Sequence, residues 1–179
     1  MLFRSRMEAA WADARSGGTK GLFVLVTMCR DPHASTVAQS FLTELGRESA
    51  IPKEATEPNF VAMAAMSTWL QHPNEMGRQP DELSLFDTRE IFWPPTDDRR
   101  QVWLVAYSYR PSLNDGDDEP VSGLGMVGSV TFALFGEATA GLSAEDAYAL
   151  YCCWELEMRE DPRAPEKRSV AEGRRLLGF

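Results

Sequence analysis

The chain of 179 residues is poor in the side chains on which metal and redox centres depend. It contains two histidines and three cysteines. Two histidines exclude a histidine-rich metal site, and three cysteines make a poor disulfide framework. We therefore predict no metal site and no cofactor.

Long apolar runs, an apolar leader and an excess of positive charge are missing as well. The longest uncharged apolar stretches, 21–29 and 126–135, are about ten residues long, whereas a membrane helix needs about 20. The N-terminus lacks the apolar segment of a signal peptide. The net charge is −9, and nucleic acids and anionic membranes attract surfaces rich in Lys and Arg. We expect a cytoplasmic protein that binds neither nucleic acid nor membrane.

The motifs of several enzyme classes are also absent. There is no glycine-rich phosphate loop, no G-x-S-x-G and no H-E-x-x-H. Cys29 and Arg30 follow an apolar run, as in the C-x5-R loop of low-molecular-weight tyrosine phosphatases, but Val24 stands where that chemistry needs a thiolate. Cys29 could pair with His33 or His72 as a nucleophile, although both histidines adjoin prolines at expected helix boundaries. We favour a buried, structural Cys29.

Three further groups have a chemical and a structural interpretation. Cys152 and Cys153 would point to opposite faces of a strand, so we favour buried structural cysteines over a metal or redox pair. The acidic stretch 114–119 has the composition of a calcium loop, but its glycine comes too early for an EF-hand, and we predict a solvated hairpin loop. Paired acids for hydrolysis could come from Asp87, Glu90, Glu155 and Glu157. We interpret the last two as surface charges on one strand face.

The N-terminal 71 residues show helical signals. Ser5 and Glu8 have the spacing of a capping box before a helix over about 6–15. Residues 19–30 are apolar throughout, which is compatible with a buried strand or a buried helix. A helix over 60–71 is expected to be capped by Asn59.

An amphipathic helix is predicted from Ser35 or Thr36, either of which can cap it, to Leu45, with Gly46 after its end. Its apolar face is formed by Val37, Ala38, Phe41, Leu42 and Leu45.

The stretch over residues 20–46 resembles one HEAT-type repeat. Such a repeat consists of an apolar helix, an Asp-Pro turn and a helix of the form V-x-x-x-F-L-x-x-L-G. The matching residues are Leu22, Leu25, Asp31, Pro32, Val37, Phe41, Leu42, Leu45 and Gly46. The resemblance implies a helical element that binds other proteins. HEAT repeats bury their faces by stacking, and the alternative is a general helical hairpin packed on the rest of the domain.

The C-terminal half shows strand signals. Alternating or continuous apolar runs predict strands over 83–93, 101–110, 126–135 and 152–159. We expect a bulge or bend at Asp87, and a bulge or close backbone approach at Gly128. The long acidic stretch 111–124 is expected to be a hairpin loop. Connections of hairpin length between the first three strands favour a meander.

Two short helices complete the prediction. Ser143 is expected to cap a helix that ends near Leu150. A single helix over 144–159 is the alternative, but residues 152–159 alternate with period 2, which favours a strand there. Ser169 begins a final short helix over 170–177.

Together these signals predict an α+β fold, in which an N-terminal helical segment packs with a roughly four-stranded antiparallel sheet and a short C-terminal helix follows. We expect a single domain over 1–179. Its helical part covers about 5–71, its β-rich part about 83–160, and its C-terminal tail 161–179.

The strand over 101–110 is apolar on both faces, so each face is either covered or available for binding. Because aromatic side chains are enriched in binding hot spots, we predict a non-enzymatic protein-interaction or assembly module without catalytic residues. Its partner would be another protein or a second copy of the chain. The alternative is a small-ligand-binding protein or an enzyme with a pocket between sheet and helices. The residues expected to bind a protein partner are the aromatic stripe Trp103, Tyr107 and Tyr109. Those expected nearest a ligand pocket are Trp93, Arg100, Tyr107, Tyr109 and Cys153.

Overall fold

The computed structural model describes residues 2–111, 120–160 and 167–179. The described part contains six α-helices and one four-stranded antiparallel sheet, with helices first and a short helix last, which confirms the predicted α+β class. The helices are α1 (Leu2–Arg15), α2 (Thr19–Met28), α3 (Ser35–Glu44), α4 (Pro58–Leu70), α5 (Ala144–Arg159) and α6 (Val170–Leu177). The strands are β1 (Glu82–Trp93), β2 (Asp98–Tyr109), β3 (Val121–Val127) and β4 (Thr131–Phe135).

The chain divides into two compact units, Met1–Thr68 and Trp69–Phe179. The first holds seven basic and seven acidic residues, whereas the second holds eleven basic and twenty acidic residues. The net charge of −9 therefore belongs entirely to the second unit. No helix of the described residues combines the length and the apolar character needed to cross a membrane. The predicted acidic loop at 114–119 lies outside the described residues.

In the first unit, the ambiguous apolar run over 19–30 is the helix α2, which ends at Met28. Helices α1 and α2 cross closely at Gly21, where an added Cβ would lie 2.1 Å from the carbonyl oxygen of Ala10. The Asp13 carboxylate accepts a hydrogen bond of 2.7 Å from the Gly21 N–H and so satisfies one of the free amides at the start of α2. The core of this unit includes Met7, Ala10, Leu25, Cys29, Ala38 and Leu42.

Three predicted helix caps in this region are wrong. Helix α1 begins at Leu2, so Ser5 lies within the helix instead of capping it. The N-cap of α3 is Ala34, without a side-chain cap, because the buried Ser35 hydroxyl accepts a bond from Gln39. Asn59 lies inside α4, which begins at Pro58, and proline is well suited to a first helical position.

The apolar face predicted for α3 is confirmed for Ala38 and Leu42, which are fully buried. Val37, which was placed on the same face, is 41% exposed. Gly46 follows the helix with φ +65°, as expected for a residue that ends a helix in the left-handed conformation.

In the second unit, the sheet is a meander in the order β1-β2-β3-β4, as predicted. The register between β1 and β2 shifts between Leu85 and Asp87, which confirms the expected bulge. The prediction of one strand over 126–135 is wrong, because the chain reverses at 128–130 and pairs β3 with β4. Gly128 lies in this turn and approaches Val102, whose Cγ1 would be 3.0 Å from an added Cβ.

Helix α5 is one continuous helix, so the predicted strand over 152–159 is wrong. The buried residues of this helix recur at the helical spacing i, i+3, i+4, i+7, and include Tyr148, Tyr151, Cys152 and Glu155. This stripe packs against the sheet face that carries Val102 and Leu104, and this packing stabilises the helix over the predicted strand. The N-cap Ser143 is confirmed, since its Oγ accepts from the Asp146 N–H.

Helix α6 matches its predicted bounds, and both halves of the capping box are present: Ser169 accepts from the Glu172 N–H, and the Glu172 carboxylate accepts from the Ser169 N–H. The helix packs on α5 through Gly173. An added Cβ there would lie 2.5 Å from the carbonyl oxygen of Ala149.

Candidate functional site

The structure distributes the five predicted site residues over the two faces of the sheet. Trp93 and Arg100 lie on the face that α5 covers, together with the buried Val102. Successive side chains of a strand point to opposite faces, so Trp103, Tyr107 and Tyr109 lie on the other face. The five residues therefore do not form one site.

The two tyrosines on the second face are integrated into the fold. Tyr107 and Tyr109 are 3% and 1% exposed, and their rings make an edge-to-face contact at 6.2 Å. The Tyr107 hydroxyl donates to the Leu134 carbonyl at 2.6 Å, and the Tyr109 hydroxyl donates to the Arg78 carbonyl at 3.2 Å. Burial raises the pKa of Tyr109 to about 12. A binding role for these residues stays a prediction, and Trp103, which is half-buried, is the more accessible member of the stripe.

A buried carboxylate lies at the end of the sheet, where the sequence analysis predicted a surface charge. Glu155 on α5 has no exposed surface. Its Oε2 accepts from the indole N–H of Trp93 at 2.8 Å and from the Ser129 hydroxyl at 2.5 Å. Its Oε1 accepts from two nitrogens of Arg159, at 2.9 and 2.8 Å. The carboxylate thus joins α5 to the end of β1 and to the turn between β3 and β4.

The hydrogen bonds around Glu155 define what this group can do. A carboxylate offers about four acceptor positions, and here four donor nitrogens or hydroxyls occupy them. No position is left to receive a proton from a substrate, so the arrangement does not have the geometry of a general base. The structure supports an anchoring role for Glu155, and Trp93 has a direct part in it.

Arg100, also predicted at the site, is paired with Asp98 by two hydrogen bonds of 2.8 Å. These bonds, and one from Thr96, lower the pKa of Asp98 to about 2. The hydrogen bond to Asp98 raises the pKa of Arg100, and the negative charge of Glu155 raises it a little further. Burial acts in the opposite direction and lowers this pKa. The guanidinium is therefore already neutralised by neighbouring carboxylates.

The other acids considered for hydrolysis do not form a catalytic pair. Asp87 accepts from Arg89 at 2.8 Å, and the same guanidinium lies 2.7 Å from the Glu145 carboxylate. Glu90 is exposed and forms a loose ion pair with Arg99. Glu155 and Glu157 were predicted to share one face of a strand, and this prediction is wrong. Both lie on helix α5, where residues i and i+2 point in different directions. Within the described ranges, no group of three or more His, Cys, Asp or Glu has the arrangement of a metal site.

The signal that could have revealed Glu155 is its position on an apolar stripe. Tyr148, Tyr151, Cys152 and Glu155 recur at the spacing of one helix face. A lone acid on such a face needs partners, because a buried charge is costly without them. Arg159, four residues later, is the expected local partner. Ser129 and Trp93 are distant in sequence, and no local pattern indicates them.

The three cysteines are free and buried, as predicted for structural residues. Burial raises the pKa of Cys29 to about 11 and that of Cys152 to about 12, and also raises the pKa of Cys153. Cys29 lies in the helical core, and its neighbour His33 bonds to Ser67 through Nδ1 at 2.8 Å. These thiols lack the lowered pKa of reactive cysteines.

We expect none of the three thiols to react with a disulfide reagent in the folded protein at about pH 8, and all three to react after denaturation. Each folded pKa lies above that of an exposed thiol. The resulting stabilisation is complete below the unfolded pKa, about 8.5, and is lost as the pH rises towards the folded values. Colorimetric thiol counting and unfolding curves at rising pH measure both effects. Rapid reaction of one native thiol would contradict the assignment.

Helix α2 carries the most exposed large apolar side chain of the described residues. Phe23 is 73% exposed. Its neighbours on the outer surface of the helix are Lys20, the half-buried Val26 and Thr27, whose hydroxyl donates to the Phe23 carbonyl at 2.8 Å. Lys20 is the one charged residue in the ten of α2. This outer surface, called the Phe23 face below, is therefore unusually apolar.

Comparisons with known proteins add neither a family nor a relative to these observations. The sequence matches no protein-family model, no curated protein and no solved structure.

Proposed function

We propose that this protein is a non-enzymatic protein-interaction or assembly module that binds its partner through the Phe23 face. The observation that carries the proposal is the 73% exposure of Phe23 at the centre of an almost uncharged helix. Single exposed apolar residues are common. Phe23 differs because Val26, one turn away, extends the apolar area, and because an aromatic ring supplies a large contact area.

Two further features support the proposal. Helices α2 and α3 are joined by a short turn at Asp31, and the sequence of this hairpin resembles a HEAT-type repeat. Repeats of that kind present helix faces to other proteins. The helical unit also carries no net charge, in contrast to the acidic second unit. Helix α2 itself has one charged residue, Lys20, and an apolar surface loses less hydration free energy on contact than a charged one does.

Replacement of Phe23 by Ala is expected to weaken partner binding at least about tenfold, the loss typical of an interface hot spot. The fold should be unaffected within about 0.5 kcal/mol, because the ring is exposed and alanine favours helix. The partner is first captured from cells of the source organism on immobilised wild-type protein. It is then produced separately, and its affinity for wild type and variants is measured by calorimetry.

The matched control is Val61→Ala, which removes another exposed apolar side chain from the helical unit. Its affinity should remain within about twofold of wild type. Self-association in sedimentation experiments that is lost in Phe23→Ala would support an assembly role through the same face. Equal affinities for wild type and Phe23→Ala would overturn the proposal.

A second function, the binding of a small ligand, is favoured by a separate observation. The helical unit contains a cleft of about 300 Å³, which is the lower size limit of small-molecule sites. Its lining suggests the chemistry of a ligand.

A further inference from the structure

The cleft lies where the turn between α1 and α2 meets the end of α3. It is lined by the last turn of α1, the glycine-containing turn, and residues on either side of Gly46. Its volume is about 300 Å³. This volume is at the lower end of the range for small-molecule sites, so the cleft suits a small ligand.

Two arginines are among the residues that line this cleft. Arg15 is the last residue of α1, and Arg47 follows the C-terminus of α3. Neither forms an ion pair with any carboxylate of the described residues. The Arg15 guanidinium lies 5.0 Å from the centre of the Trp11 ring, a contact that restricts its orientation. Both side chains are therefore available to bind an anion.

The remaining lining consists of Gly17, Gly18, Thr19 and three apolar residues. Leu22 and Leu45 are half-buried and, with Ala14, pack against the core of the helical unit. A cleft lined by two arginines and two leucines suits a molecule with an anionic head and an apolar body. A purely inorganic anion would leave the leucines in contact with water.

The start of α2 does not contribute an anion site of its own. The Asp13 carboxylate accepts from the Gly21 N–H at 2.7 Å. An added Cβ at Gly18 would lie 2.3 Å from both oxygens of the same carboxylate, which shows how closely it covers this helix end. The Asp13 carboxylate also places a negative charge beside Gly18 of the lining, so Arg15 and Arg47 have to bind an anionic ligand against this repulsion.

We propose that this cleft binds a small organic acid, with its carboxylate between the Arg15 and Arg47 guanidiniums and an apolar chain of about six carbons against Leu22 and Leu45. Guanidinium–carboxylate hydrogen bonds are charge-assisted and provide the affinity and the orientation. The leucine wall selects against short acids such as acetate. Phe23 does not line the cleft, so failure of hexanoate binding would leave the proposed protein-binding role of the Phe23 face unaffected.

The test uses methyl NMR spectra of the full chain with hexanoate, hexan-1-ol and inorganic phosphate as probes. Hexanoate is expected to cause saturable shifts at the Leu22 and Leu45 methyls with a Kd on the order of 1 mM. Hexan-1-ol has the same chain without the charge, and phosphate has the charge without the chain. Both are expected to bind at least about tenfold more weakly.

Arg15→Gln and Arg47→Gln should each raise the Kd of hexanoate at least about fivefold and leave that of hexan-1-ol unchanged. Arg6→Gln is the control, since Arg6 is exposed on α1 and does not line the cleft. All three side chains are exposed, and unchanged methyl spectra of the free variants confirm that they fold. Equal shifts with hexanoate and hexan-1-ol, tighter binding of phosphate, or no effect of Arg47→Gln would each overturn the proposal.

Discussion

Replacing Glu155 with alanine is expected to lower the free energy of unfolding of the protein by about 3 kcal/mol. The change leaves the buried indole N–H of Trp93 without its acceptor and opens a cavity beside it. Loss of a partner from a buried ion pair costs about 3–5 kcal/mol in general. The lower end is expected here because the Arg159 side chain is 46% exposed and can be hydrated again once its partner is gone.

Chemical denaturation with two controls measures this effect. Glu155→Gln retains the size of the side chain and an acceptor for Trp93, but its amide nitrogen opposes the Arg159 guanidinium, so an intermediate loss of about 1–2 kcal/mol is expected. Glu90→Ala removes an exposed acid, 67% accessible, from its 3.7 Å ion pair with Arg99. That surface pair should contribute less than about 1 kcal/mol. A Glu155→Ala variant as stable as Glu90→Ala would show that the buried carboxylate is not an anchor.

Replacing Gly21 with alanine is expected to lower the stability of the helical unit by about 2 kcal/mol or more. Alanine favours helix over glycine by about 1 kcal/mol, so a stabilising change would be expected from the sequence of α2 alone. In the structure, the new methyl group would lie 2.1 Å from the carbonyl oxygen of Ala10 and 2.8 Å from the amide nitrogen of Ala14. Both are backbone atoms, so α1 and α2 have to separate.

Hydrogen exchange followed by mass spectrometry locates the effect of Gly21→Ala, since exchange reports local opening free energies. Faster exchange is expected first in α1 and α2. Ser40→Ala, at an exposed position of α3, is the control and should be neutral or slightly stabilising. A Gly21→Ala variant more stable than wild type would show that the two helices do not cross at this distance.

Local signals predicted the fold class and several elements correctly. The capping box at Ser169 and Glu172 defined α6, and the hairpin-length connections identified the meander. The bulge next to Asp87 was also predicted, because a charged residue interrupts an alternating apolar run. In each case the interactions that stabilise the element join residues close in sequence, so local sequence patterns are sufficient to predict it.

The predicted site residues illustrate the limit of this approach. Trp93 and Arg100 were predicted to lie near the same pocket as Tyr107 and Tyr109. The structure places the two pairs on opposite sheet faces, and Trp93 meets a carboxylate 62 positions away. The cleft likewise combines Arg15 and Arg47, whose proximity depends on how three helices pack.

The sequence by itself determined that this is an α+β chain with helices first and that its sheet is a meander. Tertiary structure decided the conformation of the segments whose sequences are compatible with both a helix and a strand. The apolar run at 19–30 forms a helix because its side chains pack on α1 and α3. Residues 152–159 are helical because Glu155 accepts hydrogen bonds from Trp93 and Ser129 in this conformation. Short apolar segments have similar local energies as helix or strand. The choice between them is made by partners that lie far away in the chain.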